Sequence, residues 1–237
     1  MKKSDLKEIV DKYFINDTIE PIWLKFDEGK VRIAFSTNNE NVIGFIEKTN
    51  VQENLQFGIF DHKNFKNNIN LLSDEVKISI ENETILLKDN KFEIEYICAD
   101  EFTMNHQYIE EKIEEFDKME YQEKVIFDKD FITKFLNSSS TDSYESLDTF
   151  EMKNLKGKLQ FILGKGSKIK FVLDNSDITT EFKKYYCNMK NFRNILNSNK
   201  DVVEGYMSLE KHLIKLEFLN QNHCTSVYYL PTESHSH

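Results

Sequence analysis

Apolar positions along the chain switch between two periods, and the switches mark the elements. Leu6, Ile9, Val10, Tyr13 and Phe14 recur at helical spacing, so residues 4 to about 16 read as an amphipathic helix with Ser4 or Asp5 at its N-cap. Period-two runs at residues 22–26 and 31–35 flank Asp27-Glu28-Gly29-Lys30, which predicts a hairpin. Strands are predicted at 42–47 and 55–60, then a helix over 62–72, then strands at 76–80, 84–88 and 91–98. In the last of these, residues 92–97 alternate cleanly, as a strand with one solvated face does. Residues 100 to about 122 form an acidic connector in which Ile109, Ile113 and Phe116 keep helical spacing, so part of it reads as a short helix.

The second half replays the first. A strand at 124–127 leads into an apolar helix pattern at 130–136, about 125 residues after the first helix. Gly157-Lys158-Leu159 echoes Gly29-Lys30-Val31, and Phe192 follows Phe65 by about 127. A strand-turn-strand at 206–219 matches 76–89, and 224–230 stands where 91–97 stood. A repeat of that length is a duplicated domain, far longer than a solenoid unit. The expected class is α+β: two tandem similar domains, each with two helices packed on antiparallel sheets. The expected bounds are 1–103 and 122–231, joined by an acidic linker at 104–121 and followed by a tail at 232–237, which is expected to be disordered.

Composition narrows the class. The chain has 237 residues, 41 acids against 31 bases and a net charge of −10, a balance that by itself argues against a nucleic-acid partner. Cys98, Cys187 and Cys224 are scattered and odd in number, which predicts reduced thiols in a cytoplasmic protein. No apolar run approaches membrane-spanning length, and the first residues carry no signal-peptide pattern.

Charge distribution changes that reading. In the helix pattern at 62–72, Phe65, Ile69 and Leu72 form an apolar face, while Lys63, Lys66, Asn67 and Asn70 form the opposite one. Around Phe192 the same arrangement recurs: Phe192, Ile195 and Leu196 point inward, and Lys190, Arg193, Asn194 and Asn197 point outward. Both copies contain Lys-Asn-Phe-(Lys/Arg)-Asn, and neither contains an acid. Random placement of the acids would leave both empty only about one time in a hundred, against the usual mixed-sign solvated face. A solvated face in a Lys- and Asn-rich chain is the bland reading. The alternative is a phosphate-facing surface that does not read base sequence, because base-edge readers are too sparse.

Catalytic patterns are missing. There is no phosphate-binding glycine loop, no nucleophile elbow and no paired-histidine metal spacing. Gly164-Lys165-Gly166-Ser167 precedes a strand, not a helix, and reads as a hairpin turn. No base is spaced to single out Cys187, and His212, His223, His235 and His237 read as surface, packing or tail residues. The expectation is a non-enzyme without metal or cofactor.

With these residues in view, the chain resembles the sliding clamps, specifically the tailed-bacteriophage type, related in fold to proliferating-cell nuclear antigen. The resemblance covers essentially the whole chain. It rests on the duplication, the element order, residues 57–61 entering the second helix, the segment 71–79, and the ending Val227-Tyr228-Tyr229-Leu230-Pro231. It implies a closed homotrimer of six similar domains around double-stranded DNA, with helices inside and sheets outside. Its implied partners are a DNA polymerase and a clamp loader, and a phage protein of this kind would work in the host cytoplasm.

By position the best DNA-facing residues are Lys63, Lys66, Asn67, Lys190, Arg193 and Asn194, with Lys7, Lys12 and Lys134 as further candidates. The first helix also carries Asp5, Glu8 and Asp11, a departure from a basic lining. The resemblance implies a partner-peptide pocket to which Ile109, Ile113, Phe116, Tyr228, Tyr229 and Leu230 would contribute, unless they simply pack the linker onto the sheets. Two other readings stay open: a virion or scaffold protein that assembles without DNA, and a monomeric processivity factor with one basic face.

Overall fold

Two positive-φ residues, Glu28 and Gly29, close the first hairpin in the two-residue turn whose twist suits antiparallel strands. The computed structural model describes residues 1–16, 18–121, 123–141, 147–164, 168–173, 178, 184–200, 204–210, 212–219 and 223–232. The elements form two compact units, one of residues 1–115 with 222–226, the other of residues 116–221 with 227–237.

Unit 1 begins with α1 (Lys3–Tyr13), followed by β1 (Ile22–Asp27), β2 (Lys30–Ser36), β3 (Ile43–Thr49), β4 (Leu55–Ile59) and α2 (His62–Leu71). It continues with β5 (Lys77–Glu81), β6 (Thr84–Lys88), β7 (Glu93–Ile97), a single 3-10 turn at Glu101–Thr103, and α3 (His106–Asp117), whose last turn passes into unit 2. One antiparallel sheet runs β4-β1-β2-β3, and another runs β5-β6-β7. The register fixes the inward set. Phe26 faces Val31 and Ile33 faces Ile46, and all four are buried. Helices α1 and α2 pack on each other.

Neither Ser4 nor Asp5 caps α1. Lys2 holds the N-cap position and makes no side-chain cap bond. The Lys3 N–H instead donates to the Asp74 carbonyl at 2.8 Å, and Val76 donates to the Met1 carbonyl at 2.9 Å, so a neighbouring segment satisfies the helix start. By contrast α2 has the side-chain cap its sequence offers, with Asp61 accepting from the Asn64 N–H at 3.0 Å.

Unit 2 holds β8 (Glu123–Phe127), α4 (Lys129–Ser139), β9 (Thr149–Leu155), β10 (Lys158–Leu163), β11 (Ile169–Leu173), β12 (Tyr185–Asn188), α5 (Met189–Ser198), β13 (Glu204–Glu210) and β14 (Leu213–Leu219). Strand β15 (Cys224–Pro231) completes it from Val227 onward. One sheet runs β11-β10-β9-β12, and β15-β14-β13-β8 follow one another in the other. Asp128 caps α4 and Asn188 caps α5, each accepting at 2.9 Å from the N–H three residues on. Helices α4 and α5 pack together over Phe131, Phe135, Phe150, Phe161 and Phe192, with Phe135 5.0 Å from Phe192 and 5.3 Å from Phe150.

Each unit is thus an α+β assembly of one helix pair on antiparallel sheets. The acidic connector is largely helical, since α3 buries Ile109 and Ile113. Residues 165–167 of the predicted Gly164 turn and residues 233–237 of the tail lie outside the described residues, while β10 and β11 on either side of that turn pair antiparallel.

Candidate nucleic-acid interface

The periodicity of α2 turns Phe65 and Ile69 into the unit 1 core, while Lys63 and Asn67 stay exposed. Lys66 is half-buried. Its ammonium lies 2.8 Å from the Asp11 carboxylate and 5.3 Å from the centre of the Phe14 ring. Lys7 donates to the same Asp11 carboxylate at 2.5 Å. Burial pushes the Asp11 carboxyl up, but hydrogen bonds and charge from Lys66 and Lys7 outweigh it and hold the group below the usual carboxylate value. Two candidate cations therefore share one anion.

The other acids of α1 serve the interior. The Lys48 side chain, 5% exposed, reaches Glu8 at 2.8 Å and Asp5 at 3.2 Å. Burial opposes the Lys48 charge, yet these two carboxylates raise its pKa above the ordinary lysine value. Lys3 donates to the carbonyls of Asn70, at 2.9 Å, and Leu72, where cations suit a helix C-terminus. The expectation for Lys12 is corrected: at 3% exposure it is not a surface residue. It sits three positions beyond Ile9, at the margin of the apolar stripe that α1 buries.

On α5, Phe192, Ile195 and Leu196 are buried, Lys190 is exposed, and Arg193 and Asn194 are half-buried. One guanidinium nitrogen of Arg193 donates to the Ser139 carbonyl at 3.3 Å, at the end of α4. Beside it a cavity of about 480 Å³ opens, lined by residues of α4 and α5 together with Ser140 and Lys200. Lys134 is exposed and pairs with Asp130 one turn away at 2.6 Å. The structure thus leaves Lys63, Asn67, Lys190, Arg193 and Asn194 facing outward without a carboxylate partner among the described residues.

The residues assigned to a partner-peptide pocket are largely packed away from solvent. Ile109, Ile113, Tyr228, Tyr229 and Leu230 are all buried. Half-buried Phe116 packs 5.2 Å from the Tyr229 ring. The Tyr228 hydroxyl accepts from the Asn199 amide at 3.0 Å, and the Tyr229 hydroxyl donates to Asp117 at 2.6 Å. Burial and the Asp117 carboxylate push the Tyr229 phenol far up. These side chains are thus engaged in packing and hydrogen bonds within the chain.

Two features escaped the sequence. Lys200 lies just past the end of α5, seven residues after Arg193, and that spacing was the available signal. The other is a cavity of about 270 Å³ in unit 1, where Arg32 forms two hydrogen bonds to Glu110 at 2.9 and 3.2 Å and Trp23 stacks on His106 at 6.1 Å. No local pattern links residues so far apart. Among the described residues no cluster of His, Cys, Asp or Glu could hold a metal, and no helix is long and apolar enough to cross a membrane. All three cysteines are free, and burial pushes the Cys224 thiol up to about 12.

The fold has known counterparts. The chain matches A. fulgidus PCNA, solved with the C-terminal region of FEN-1 bound, with a TM-score of 0.74 and 12% identity over 100% of this chain and 98% of that one. It matches Proliferating Cellular Nuclear Antigen from Entamoeba histolytica with a TM-score of 0.69 and 10% identity, over 98% and 96% of the two chains. PCNA from Thermococcus kodakaraensis gives a TM-score of 0.69 and 11% identity, over 98% of each. No protein-family model and no curated protein matches the sequence. The chain has the PCNA clamp fold over its full length.

Proposed function

We propose that this protein is a sliding clamp of the bacteriophage type, which closes as a homotrimer around double-stranded DNA and tethers a replicative DNA polymerase. The observation that carries the reading is the full-length clamp fold combined with an outward helix face in each unit that holds cations and amides. Lys63, Asn67, Lys190, Arg193 and Asn194 are the proposed DNA-facing residues. Lys7, Lys66 and Lys134 contribute less, because carboxylates already hold them. Contacts of this type go to phosphates and carry no base specificity. Retention then comes from topology, so each contact can be weak enough for sliding.

Ring closure would use sheet edges. Strands β7 and β11 each end their sheet, and an unpaired edge is a template for another strand. Ile97 on β7 is 68% exposed and Phe102 just beyond it is 95% exposed, apolar surface that a head-to-tail contact would cover. Pairing β7 of one copy with β11 of the next closes a cyclic assembly. The phage assignment rests on residues 57–61 and 71–79, and with it come a clamp loader and the host cytoplasm. A peptide-bearing polymerase is the proposed partner by analogy with the FEN-1 segment held by the A. fulgidus protein.

The test is processive synthesis on primed circular DNA with the cognate polymerase and loader. Wild type should lengthen the products, and neutralising Lys63, Lys190 and Arg193 together should abolish the gain while the oligomer persists. A trimer that never stimulates synthesis would favour the scaffold reading; a monomer that does stimulate would favour the one-faced processivity factor.

A further inference from the structure

We infer that unit 2 carries a phosphate-binding pocket between α4 and α5, completed by Lys200, and that the seam of the unit 1 helix pair has no counterpart to it, so phosphate contact is stronger on unit 2 than on unit 1 within each chain. This rests on the DNA-facing reading of the helix faces and deepens it.

The pocket is built from donors. Its volume of about 480 Å³ lies within the range of ligand sites, roughly 300–1,000 Å³, but its lining is polar where most such sites are apolar. Arg193 and Lys200 supply charge, Asn137, Asn194 and Asn197 supply amides, and Ser140 supplies a hydroxyl. None of the described lining residues is an acid. The Ser139 carbonyl accepts from one Arg193 nitrogen and so orients the guanidinium. A guanidinium has five N–H donors in a planar fork, which leaves the others for a phosphate's oxygens. Lys200 is exposed and has no ion-pair partner among the described residues. Such a lining favours an anion with several acceptor oxygens, which is a phosphate group.

Unit 1 shows what cancels such a site. Its helix pair has cations too, but apart from exposed Lys63 they are engaged: Asp11 binds Lys7 and Lys66 at once, Lys3 is held by backbone carbonyls, and Lys12 is buried. A phosphate arriving there meets a carboxylate and must displace it from two ammonium groups. The residue that separates the two units is therefore Asp11, which has no equivalent among the described residues that line the unit 2 cavity.

The experiment measures binding of a short DNA duplex to the full chain by fluorescence anisotropy between about 50 and 200 mM salt. Arg193→Gln with Lys200→Gln should weaken binding by about tenfold and lower the slope of log K against log salt by about two, since each phosphate contact contributes about 0.9. Asp11→Asn should do the reverse, tightening binding about threefold by releasing Lys7 and Lys66. If the double variant folds poorly by circular dichroism, exposed Asn197→Asp takes its place, introducing into unit 2 the carboxylate that unit 1 already has. It should also weaken binding.

Inorganic pyrophosphate separates the sources of the phosphate. Displacement of the duplex at millimolar pyrophosphate, lost with Arg193→Gln, marks a site for any phosphate. Failure to displace, with the duplex loss intact, marks one for the DNA backbone. The inference is overturned if wild type binds duplex but the Arg193 and Lys200 double variant loses no more than a Lys7→Gln and Lys66→Gln double variant. If wild type binds no duplex but still binds pyrophosphate through Arg193, the DNA reading fails and the pocket stands.

Discussion

The helix pair of unit 1 and that of unit 2 occupy equivalent places in the repeat, yet they solve the same packing problem with different chemistry. In unit 1 the seam under α1 and α2 brings Tyr13 and His62 together at 5.5 Å, and neither the Tyr13 hydroxyl nor His62 Nδ1 has a hydrogen-bond partner among the described residues. In unit 2 the corresponding seam is built of phenylalanine. Outside the seam the contrast continues, with shared carboxylates on one pair and a cavity lined by donors on the other. A duplicated fold fixes where helices go, while the charge on their outer faces is free to diverge.

The aromatic seam should give the largest effect. Phe135→Ala removes the ring that touches Phe131, Phe150, Phe161 and Phe192, and chemical denaturation should show a loss of about 3–5 kcal/mol. A loss under about 1 kcal/mol would mean that phenylalanine packing does not hold unit 2.

Acid should act on unit 1. His62 is buried and its ring Nε2 lies 2.9 Å from the Glu20 carbonyl, so the neutral tautomer donates there. Burial lowers its pKa from 6.5 to about 4. The folded state thus resists a proton that the unfolded chain accepts. Stability from this group is complete above pH 6.5 and falls as pH drops toward 4, by on the order of 3 kcal/mol in total. Thermal scans across that window should show the decline in wild type and a shallower one in His62→Gln.

A smaller effect is expected at Lys48→Met, which leaves the Asp5 and Glu8 carboxylates without their shared cation. About 2 kcal/mol should be lost, below the usual cost of breaking a fully buried pair because Asp5 is partly exposed. Smallest of all, Lys134→Ala should change stability by no more than about 0.5 kcal/mol, since its pair with Asp130 is exposed on both sides.

Much of the fold could be read from periodicity. Helices α2 and α5 and the strand at 84–88 were signalled by local spacing, because each buries one face and the face repeats at 3.6 or 2.0 residues, while turn residues and the repeat marked the first hairpin and the strand at 224–230. The cap of α1 was not legible, since residues 74–76 supply it through backbone bonds. On the site, Lys63, Lys190 and Arg193 were visible as a stripe. That Asp11 would take Lys66, 55 residues away, was not. Nor was the burial of Lys12, which depends on how far α1 rolls onto its neighbours, or the burial of adjacent Tyr228 and Tyr229, which face opposite sides of β15 and are covered on both.

The ring itself is tested by the mass of the protein in solution, measured by sedimentation equilibrium at micromolar concentration. A closed ring predicts three times the 28.1 kDa of one chain, with no smaller species until dilution or salt opens it. A single species at 28.1 kDa across that range would contradict it, and the helix faces would then belong to a one-sided binder.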